Sequence, residues 1–99
     1  MKDRFMFRAW DNTYKQFIFR TLFEAKETSL EWEQCTGLKD KNGKLIYEGD
    51  IVRQISKREP EYEEYITEVE WSVFGCSLYN EESFDFEVIG NIHENEDLL

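Results

Sequence analysis

The chain has 99 residues and carries 22 Asp and Glu against 12 Lys and Arg, which gives a formal net charge of −10. Domains cluster near about 100–150 residues, so this length predicts a single domain over residues 1–99 and excludes two full-sized catalytic domains. Hydrophobic residues make up 40% of the chain and aromatic residues 16%, which is too much apolar material for a disordered protein.

The charge is unevenly distributed along the chain. Residues 1–58 contain all 12 Lys and Arg with 9 Asp and Glu, a net charge of +3. Residues 59–99 contain 13 Asp and Glu and neither Lys nor Arg. Phosphate binding needs a local density of Lys and Arg. The charge therefore argues against nucleic-acid binding by residues 59–99 but not by residues 1–58.

Two segments near the start of the chain alternate between apolar and polar residues, as half-buried strands do. The first is Arg4–Trp10 and the second is Tyr14–Phe23. Between them, Asp11–Thr13 is typical of a turn, because Asp and Asn side chains hydrogen-bond to the nearby backbone. These segments predict an N-terminal β-hairpin, and Ser29–Cys35 predicts a weaker third strand.

Gly37, Gly43 and Gly49 are predicted to lie in turns that divide the middle of the chain. Asn42-Gly43 is a strong tight-turn dipeptide, since both residue types tolerate a positive φ. The breaker Glu48–Asp50 then separates a short apolar segment, Leu45–Tyr47, from a predicted strand at Ile51–Ile55.

The acidic part of the chain contains two further predicted strands, Tyr65–Val73 and Phe84–Ile89. Pro60 lies in a hydrophilic loop, and Gly75 is predicted to mark a bulge or turn. Helical signals are poor, with Leu22–Glu27 as the best candidate. Short strands joined by turns every ~8–12 residues predict a mostly β fold with minor α, either a small barrel or a sandwich.

The sequence also bears on the compartment. No apolar stretch of signal-peptide length follows Met1, and no segment approaches the ~20 apolar residues that cross a bilayer. We therefore expect a cytoplasmic protein without membrane association. Cys35 and Cys76 are too few for a disulfide framework, so both are predicted to be reduced and structural.

The chemistry-bearing residues predict no metal site, no cofactor and no catalytic centre. His93 is the single histidine and precedes Glu94–Asp97, which has the composition of a solvated acidic tail. Zinc sites need several His and Cys at defined spacings, and a catalytic Ser–His or Cys–His pair would require His93 as its base. Paired carboxylates such as Glu68 and Glu70 fit the wet face of a strand.

Basic and aromatic residues are the strongest sign of a binding function. Lysines cluster between positions 39 and 44, and arginines of the predicted hairpin lie near Trp10, Tyr14 and Phe17. Such side chains on a small β-barrel are typical of single-stranded nucleic-acid binding. The pattern nevertheless favours a solvated turn beside core aromatic residues. The candidate binding surface comprises Arg4, Arg8, Trp10, Lys39, Lys41 and Lys44.

The segment Gln34–Val52 resembles the YopX family of small proteins encoded by phages and prophages of low-GC Gram-positive bacteria. Arg4–Asp11 and Phe86–Asn95 also agree with the family, although Cys35 stands where an aromatic residue is common and His93 where a tyrosine is common. The family motif is carried by Trp10, Asp11, Gly37, Asn42, Gly43, Tyr47, Gly49, Asp50, Gly90 and Asn91. Glycine-dependent turns constrain a sequence for reasons of fold, so the motif fits an architectural role as well as a functional one.

The resemblance implies a β-hairpin region over residues 1–34, an SH3-like β-barrel over residues 35–99 and self-association. The family has no established catalytic residue or ligand, so the resemblance assigns none to this chain. We therefore expect a phage- or prophage-encoded, non-catalytic accessory protein that acts as a protein–protein binding module and homo-oligomer. A host or phage protein would be its partner, and its acidic surface would favour a cationic one. The alternative is a nucleic-acid-binding module that uses the basic N-terminal half. An enzyme acting on nucleic acid or nucleotides has no support beyond scattered carboxylates.

Overall fold

A computed structural model describes residues 6–21, 30–57, 63–72, 75–78 and 83–99. These residues form nine strands and one short 3₁₀ helix at Glu96–Leu98. The strands are β1 (Met6–Asp11), β2 (Gln16–Thr21), β3 (Glu33–Lys39), β4 (Leu45–Tyr47), β5 (Asp50–Ser56), β6 (Glu64–Glu68), β7 (Trp71–Ser72), β8 (Gly75–Cys76) and β9 (Phe84–Asn91). The prediction of a mostly β fold is confirmed.

The predicted N-terminal hairpin is present as β1 and β2. The two strands pair antiparallel from Met6 opposite Thr21 to Asp11 opposite Gln16. The Asp11 carboxylate closes the turn, because its Oδ1 accepts hydrogen bonds from the backbone N–H groups of Thr13 (2.9 Å) and Tyr14 (3.2 Å). The hairpin forms one edge of a four-stranded sheet with the order β2-β1-β3-β4.

Strand β3 begins later and runs further than the predicted third strand, reaching Lys39. Its middle is buried at Cys35 and Thr36, and the Thr36 hydroxyl donates a 2.8 Å hydrogen bond to the Ile46 carbonyl on β4. The pairing with β4 shifts register between Cys35 and Lys39, where Gly37 adopts a φ of 84°. The sequence predicts a turn at Gly37, whereas the residue lies in an irregular strand. Cys35 is fully buried, and the side chain of Cys76 lies outside the described structure.

The predicted strands Ile51–Ile55 and Phe84–Ile89 are confirmed and form the centre and one edge of a three-stranded sheet, β6-β5-β9. The predicted strand Tyr65–Val73 is divided into β6 and β7. The division occurs at Val69, which lies opposite the first residue of β5 and bonds partly to the turn before it. Its N–H donates to the Asp50 carbonyl (2.9 Å), and its carbonyl accepts from the N–H of Gly49 (3.0 Å).

Three of the weaker predictions lie partly or wholly outside the described residues. Gly75 begins β8, which pairs with β7 in a two-stranded sheet, and residues 73–74 between them lie outside the described residues, so the predicted bulge or turn stays a prediction. Pro60 and Leu22–Glu27 lie outside the described residues. The described residues contain no helix long and apolar enough to cross a membrane.

The apolar core joins the two larger sheets. Ile46 of β4, Val52 of β5, Phe86 of β9 and Val69 pack together as buried residues. Leu38, Leu78, Phe84 and Val88 surround this cluster. Within the described ranges none of the sheets closes on itself, so the SH3-like barrel stays a prediction.

Candidate functional site

A buried arginine lies where the two larger sheets meet. Arg8 of β1 has a side chain only 4% exposed. Its Nε donates a 2.8 Å hydrogen bond to Glu33 Oε1, its Nη1 lies 2.8 Å from Asp50 Oδ1, and its Nη2 donates to the Glu48 carbonyl at 3.0 Å. A buried charge requires such pairing, because an unpaired ion in the interior loses its hydration without compensation.

Aromatic rings cover the faces of the same guanidinium group. Its central carbon lies 4.0 Å from the ring centroid of Phe17 and 4.9 Å from that of Tyr47, distances at which a cation is attracted to an aromatic face. Phe17 and Phe19 alternate on β2 and therefore share one side of the sheet. The Phe19 ring meets Tyr47 edge to face at 5.7 Å.

Asp50 and Gly49 form the turn that completes the arginine site. Asp50 Oδ2 accepts a 2.9 Å hydrogen bond from the N–H of Tyr47. Burial raises the pKa of the Asp50 carboxyl above its ordinary value, and the Arg8 charge and this N–H oppose the shift. Gly49 has a φ of +83°, and a Cβ at this position would overlap the Glu33 carboxylate. Gly49, a family-motif residue, is therefore needed because Glu33 approaches the backbone at this position.

His93 lies far from Arg8 in the sequence but contacts the same group of residues around it. Its Nε2 lies 3.0 Å from Glu33 Oε2, and its ring stacks on Trp10 with a centroid distance of 5.3 Å and an interplanar angle of 6°. Asn91 Oδ1 accepts the His93 N–H (2.9 Å) and orients this turn. His93 and the neighbouring acidic side chains are exposed, as a solvated tail predicts, but the His93 ring also contacts Trp10 and Glu33.

An open cleft of about 420 Å³ lies beside the arginine site, and we call it the aromatic cleft. Its lining residues are Arg8, Phe17, Phe19, Gly43, Lys44, Leu45, Tyr47, Asp50, Gly90 and Asn91. Phe19 is 48% exposed although it is a large apolar residue. Five of the family-motif residues line this cleft, so strands distant in sequence bring the motif together at one surface.

The three predicted lysines surround the turn between β3 and β4. Lys39, Lys41 and Lys44 are all exposed, and Lys44 lines the aromatic cleft. Asp40 organises the turn, because Oδ1 accepts from the N–H groups of Asn42 and Lys44 and Oδ2 from that of Val88. Burial raises the Asp40 pKa, but these three backbone donors outweigh it and hold the pKa below its ordinary value.

The predicted binding surface is therefore divided in the structure. The lysines are exposed, whereas Arg8 is committed to internal partners and Trp10 is half-buried against His93. Arg4 lies outside the described residues. The sequence interpretation missed Phe19 and Glu33 as site residues. Alternation on β2 could have indicated Phe19, but Glu33 meets His93 across 60 residues, and no local pattern encodes that contact.

A second, acidic cleft of about 320 Å³ has Glu33, Glu48, Glu68 and Glu70 among its lining residues. Burial, followed by repulsion from Glu70, Glu33 and Glu96, raises the Glu68 pKa above its ordinary value. Within the described part of the chain, no group of three or more His, Cys, Asp or Glu residues is arranged to hold a metal ion.

Comparisons with known proteins agree with the resemblance in the sequence. A family model described as YopX protein matches residues 23–99. The solved structure of protein EF1440 from Enterococcus faecalis is similar to this chain, with 26% sequence identity and a TM-score of 0.60. The similarity covers 94% of this chain and 96% of that one. No curated protein matches the sequence. Since the family model matches most of its length, the chain belongs to the YopX family.

Proposed function

We propose that this protein is a non-catalytic binding module that associates with protein partners, including further copies of itself, through the aromatic cleft. The observation that supports this proposal is the partly exposed Phe19 ring in an open cleft beside the exposed Lys44. Protein interfaces are typically built around an exposed aromatic anchor with polar groups at its rim. The volume of the cleft, about 420 Å³, suits one or two large side chains.

The charged groups beside the cleft favour a binding role over a catalytic one. Arg8 and Asp50 neutralise each other, and His93 is packed on Trp10 and bonded to Glu33. A general base or nucleophile needs a free position toward a substrate, and these side chains are engaged with one another. These side chains therefore fit a structural role beside the cleft rather than a catalytic role.

The origin and setting of the protein follow from the family resemblance. We propose a phage- or prophage-encoded accessory protein that acts in the host cytoplasm and binds a host or phage protein. An SH3-like arrangement of residues 35–99 is part of the same proposal. Core packing between β4, β5 and β9 is compatible with it.

Sedimentation equilibrium of the purified protein tests the self-association. We expect the wild type to associate and Phe19→Ser to weaken association about tenfold or more, because the anchor ring is lost. Tyr14→Ser is the matched control, since Tyr14 is 73% exposed on the hairpin turn and does not line the cleft. A wild type that is monomeric at every concentration, or a Phe19→Ser variant that associates normally, would contradict the proposal.

A nucleic-acid-binding module is the second candidate, and the exposed lysine turn beside Phe19 favours it. Lysines that neutralise phosphates and a ring that stacks on bases are the two components of single-strand binding. Fluorescence anisotropy with short oligonucleotides should then show binding that falls as salt rises. Replacing Lys39, Lys41 and Lys44 together by Gln should abolish it, while no binding to any oligonucleotide at low salt would end this alternative.

A further inference from the structure

An exposed segment with both apolar and acidic side chains follows the turn that holds His93. The 3₁₀ helix Glu96–Leu98 carries acidic residues in its first turn and no basic residue in its last. Leu98 is 37% exposed and Leu99 57% exposed, so their side chains are incompletely covered within the described chain. Two adjacent exposed leucines beside Glu96 and Asp97 form a compact apolar and negative surface, which we call the leucine segment (residues 96–99).

The aromatic cleft has the complementary chemistry. Phe19 supplies an exposed apolar ring, and Lys44 supplies an exposed cation that lines the same cleft. Lys39 at the end of β3 and Lys41 in the following turn are also exposed. Burying leucine against an aromatic ring is favourable by the hydrophobic effect. Pairing of opposite charges at the rim of the cleft favours one orientation of the bound segment.

The leucine segment starts close to the cleft in its own chain. Gly90 and Asn91 line the cleft, and the Asn95 N–H donates a 2.8 Å hydrogen bond to the Asn91 carbonyl just before the 3₁₀ helix. The residue that precedes the leucine segment is therefore bonded to a residue that lines the cleft. A two-fold axis beside them could place each segment on the cleft of the other copy, which is the reciprocal geometry of a closed dimer.

We propose that the leucine segment of one copy occupies the aromatic cleft of a second copy, with Leu98 and Leu99 against Phe19 and the acidic side chains near Lys44. This inference rests on the proposed function, because it names the occupant of the cleft through which we propose that the protein associates. It commits to a second copy, since the segment and the cleft match in both charge and apolar character.

Paired variants separate this inference from the proposed function. Phe19→Ser removes the cleft anchor and keeps the segment, whereas the double variant Leu98→Ser, Leu99→Ser keeps the cleft and removes the occupant. All three side chains are partly exposed, so these changes leave the buried core intact. Each variant alone should associate about tenfold or more weakly than the wild type in sedimentation equilibrium. An equimolar mixture should form mixed dimers, because it contains one intact cleft and one intact segment.

The outcomes have distinct meanings. Normal association of the double leucine variant together with loss for Phe19→Ser would overturn this inference and leave the proposed function standing. Normal association of both variants, or a wild type that is always monomeric, would overturn both. Ile66→Ser is the control for losing an exposed apolar side chain, because Ile66 is exposed on β6 and does not line the cleft.

A photo-crosslink identifies the contact directly. A benzoylphenylalanine introduced at position 19 should, on irradiation of the purified protein, give a covalent dimer whose adduct maps by mass spectrometry to residues 96–99. The same analogue at position 14 should give none there. An adduct between two copies at any other segment would overturn the inference, and it would identify the actual occupant of the cleft.

Discussion

The Arg8 guanidinium is a buried cation whose three nitrogen atoms each have an oxygen partner. Glu33 and Asp50 supply two carboxylates, and the Glu48 carbonyl supplies the third acceptor. The arginine appears in the sequence as one of several basic residues near aromatic ones, which predicts a binding surface. Its burial depends on carboxylates from β3 and β5, and no pattern within β1 encodes them. At this site the residue types were predictable and their roles were not.

Removing Arg8 should destabilise the protein strongly. Arg8→Ala leaves two carboxylates without their cation in a buried site, and we expect a loss of about 3–5 kcal/mol in the free energy of unfolding. Urea denaturation measures this loss. Arg53→Ala is the control, because Arg53 forms longer, more exposed ion pairs with Glu64 and Glu87 and should cost less than about 1 kcal/mol. Equal losses for the two variants would contradict a special role for Arg8.

Two glycines have the same positive φ, but only one of them has another side chain close to its Cα. Comparing them separates the energetic cost of a positive φ from the cost of a steric overlap. Gly43 has a φ of +82°, and a Cβ on it would meet open space, whereas a Cβ on Gly49 would overlap Glu33. Gly43→Ala should cost about 1 kcal/mol through φ alone, and Gly49→Ala about 3 kcal/mol because Glu33 must also move away from Arg8. Thermal or urea unfolding measures both. Similar losses would mean that Glu33 adapts without cost.

At the scale of elements, strands with clean alternation were predictable and irregular strands were not. The β1–β2 hairpin, β5 and β9 follow period two, and their existence was evident from the sequence. Strand β3 contains Gly37, which locally indicates a turn, but burial of Thr36 and its bond to β4 keep the chain extended. The break after β6 falls where Val69 bonds to Gly49 and Asp50 at the start of β5, a long-range contact that local alternation does not encode.

The β1–β2 turn contains a strained backbone conformation that a substitution should relieve. Lys15 has a φ of 54°, a left-handed conformation that costs a residue with a Cβ about 1 kcal/mol or more. Lys15→Gly should therefore stabilise the protein by about 0.5–1 kcal/mol, measured by thermal unfolding. Lys15→Ala is the control, since it also loses the 2.8 Å hydrogen bond from Lys15 Nζ to Asn12 Oδ1 but keeps the strain. A Gly variant no more stable than the Ala variant would show that the turn carries no such cost.

The whole molecule combines a mildly basic N-terminal part with a strongly acidic remainder. Several acidic side chains of β6 and β9 are offset by nearby Arg or Lys, as in the pairs of Arg53 and Lys57. Glu68 differs, because burial and repulsion from three other carboxylates disfavour its ionised form. The uneven charge was evident from the sequence, but the place where repulsion concentrates depends on Glu33 and Glu96 arriving beside β6 in the fold.

Neutralising Glu68 should stabilise the protein in a pH-dependent way. The pKa of Glu68 is raised in the folded state, so its ionised form disfavours folding at pH values above the folded pKa, and this cost disappears below the ordinary value of 4.5. Glu68→Gln should therefore gain no more than about 0.5 kcal/mol at neutral pH, since solvent screens the repulsion.

Urea unfolding at neutral and acidic pH checks this expectation, and the gain should shrink in high salt. Glu64→Gln is the matched control on the same strand, because Glu64 lies 3.4 Å from Arg53 and loses an attraction instead. A gain for Glu68→Gln that persists in acid would show that packing, rather than charge, is responsible.

The Glu33 carboxylate also has a consequence for the order of folding. This carboxylate contacts both Arg8 on β1 and His93. Glu33 and His93 are 60 residues apart in the sequence. The β1–β2 hairpin has local pairing and can form early, whereas the arginine must remain hydrated until β3, the Gly49–Asp50 turn and the segment after β9 have assembled around it. Contacts of such high sequence separation form late and slow the overall rate. Dehydration of Arg8 is therefore a terminal event of folding, and amide exchange near His93 should become protected after that of the hairpin.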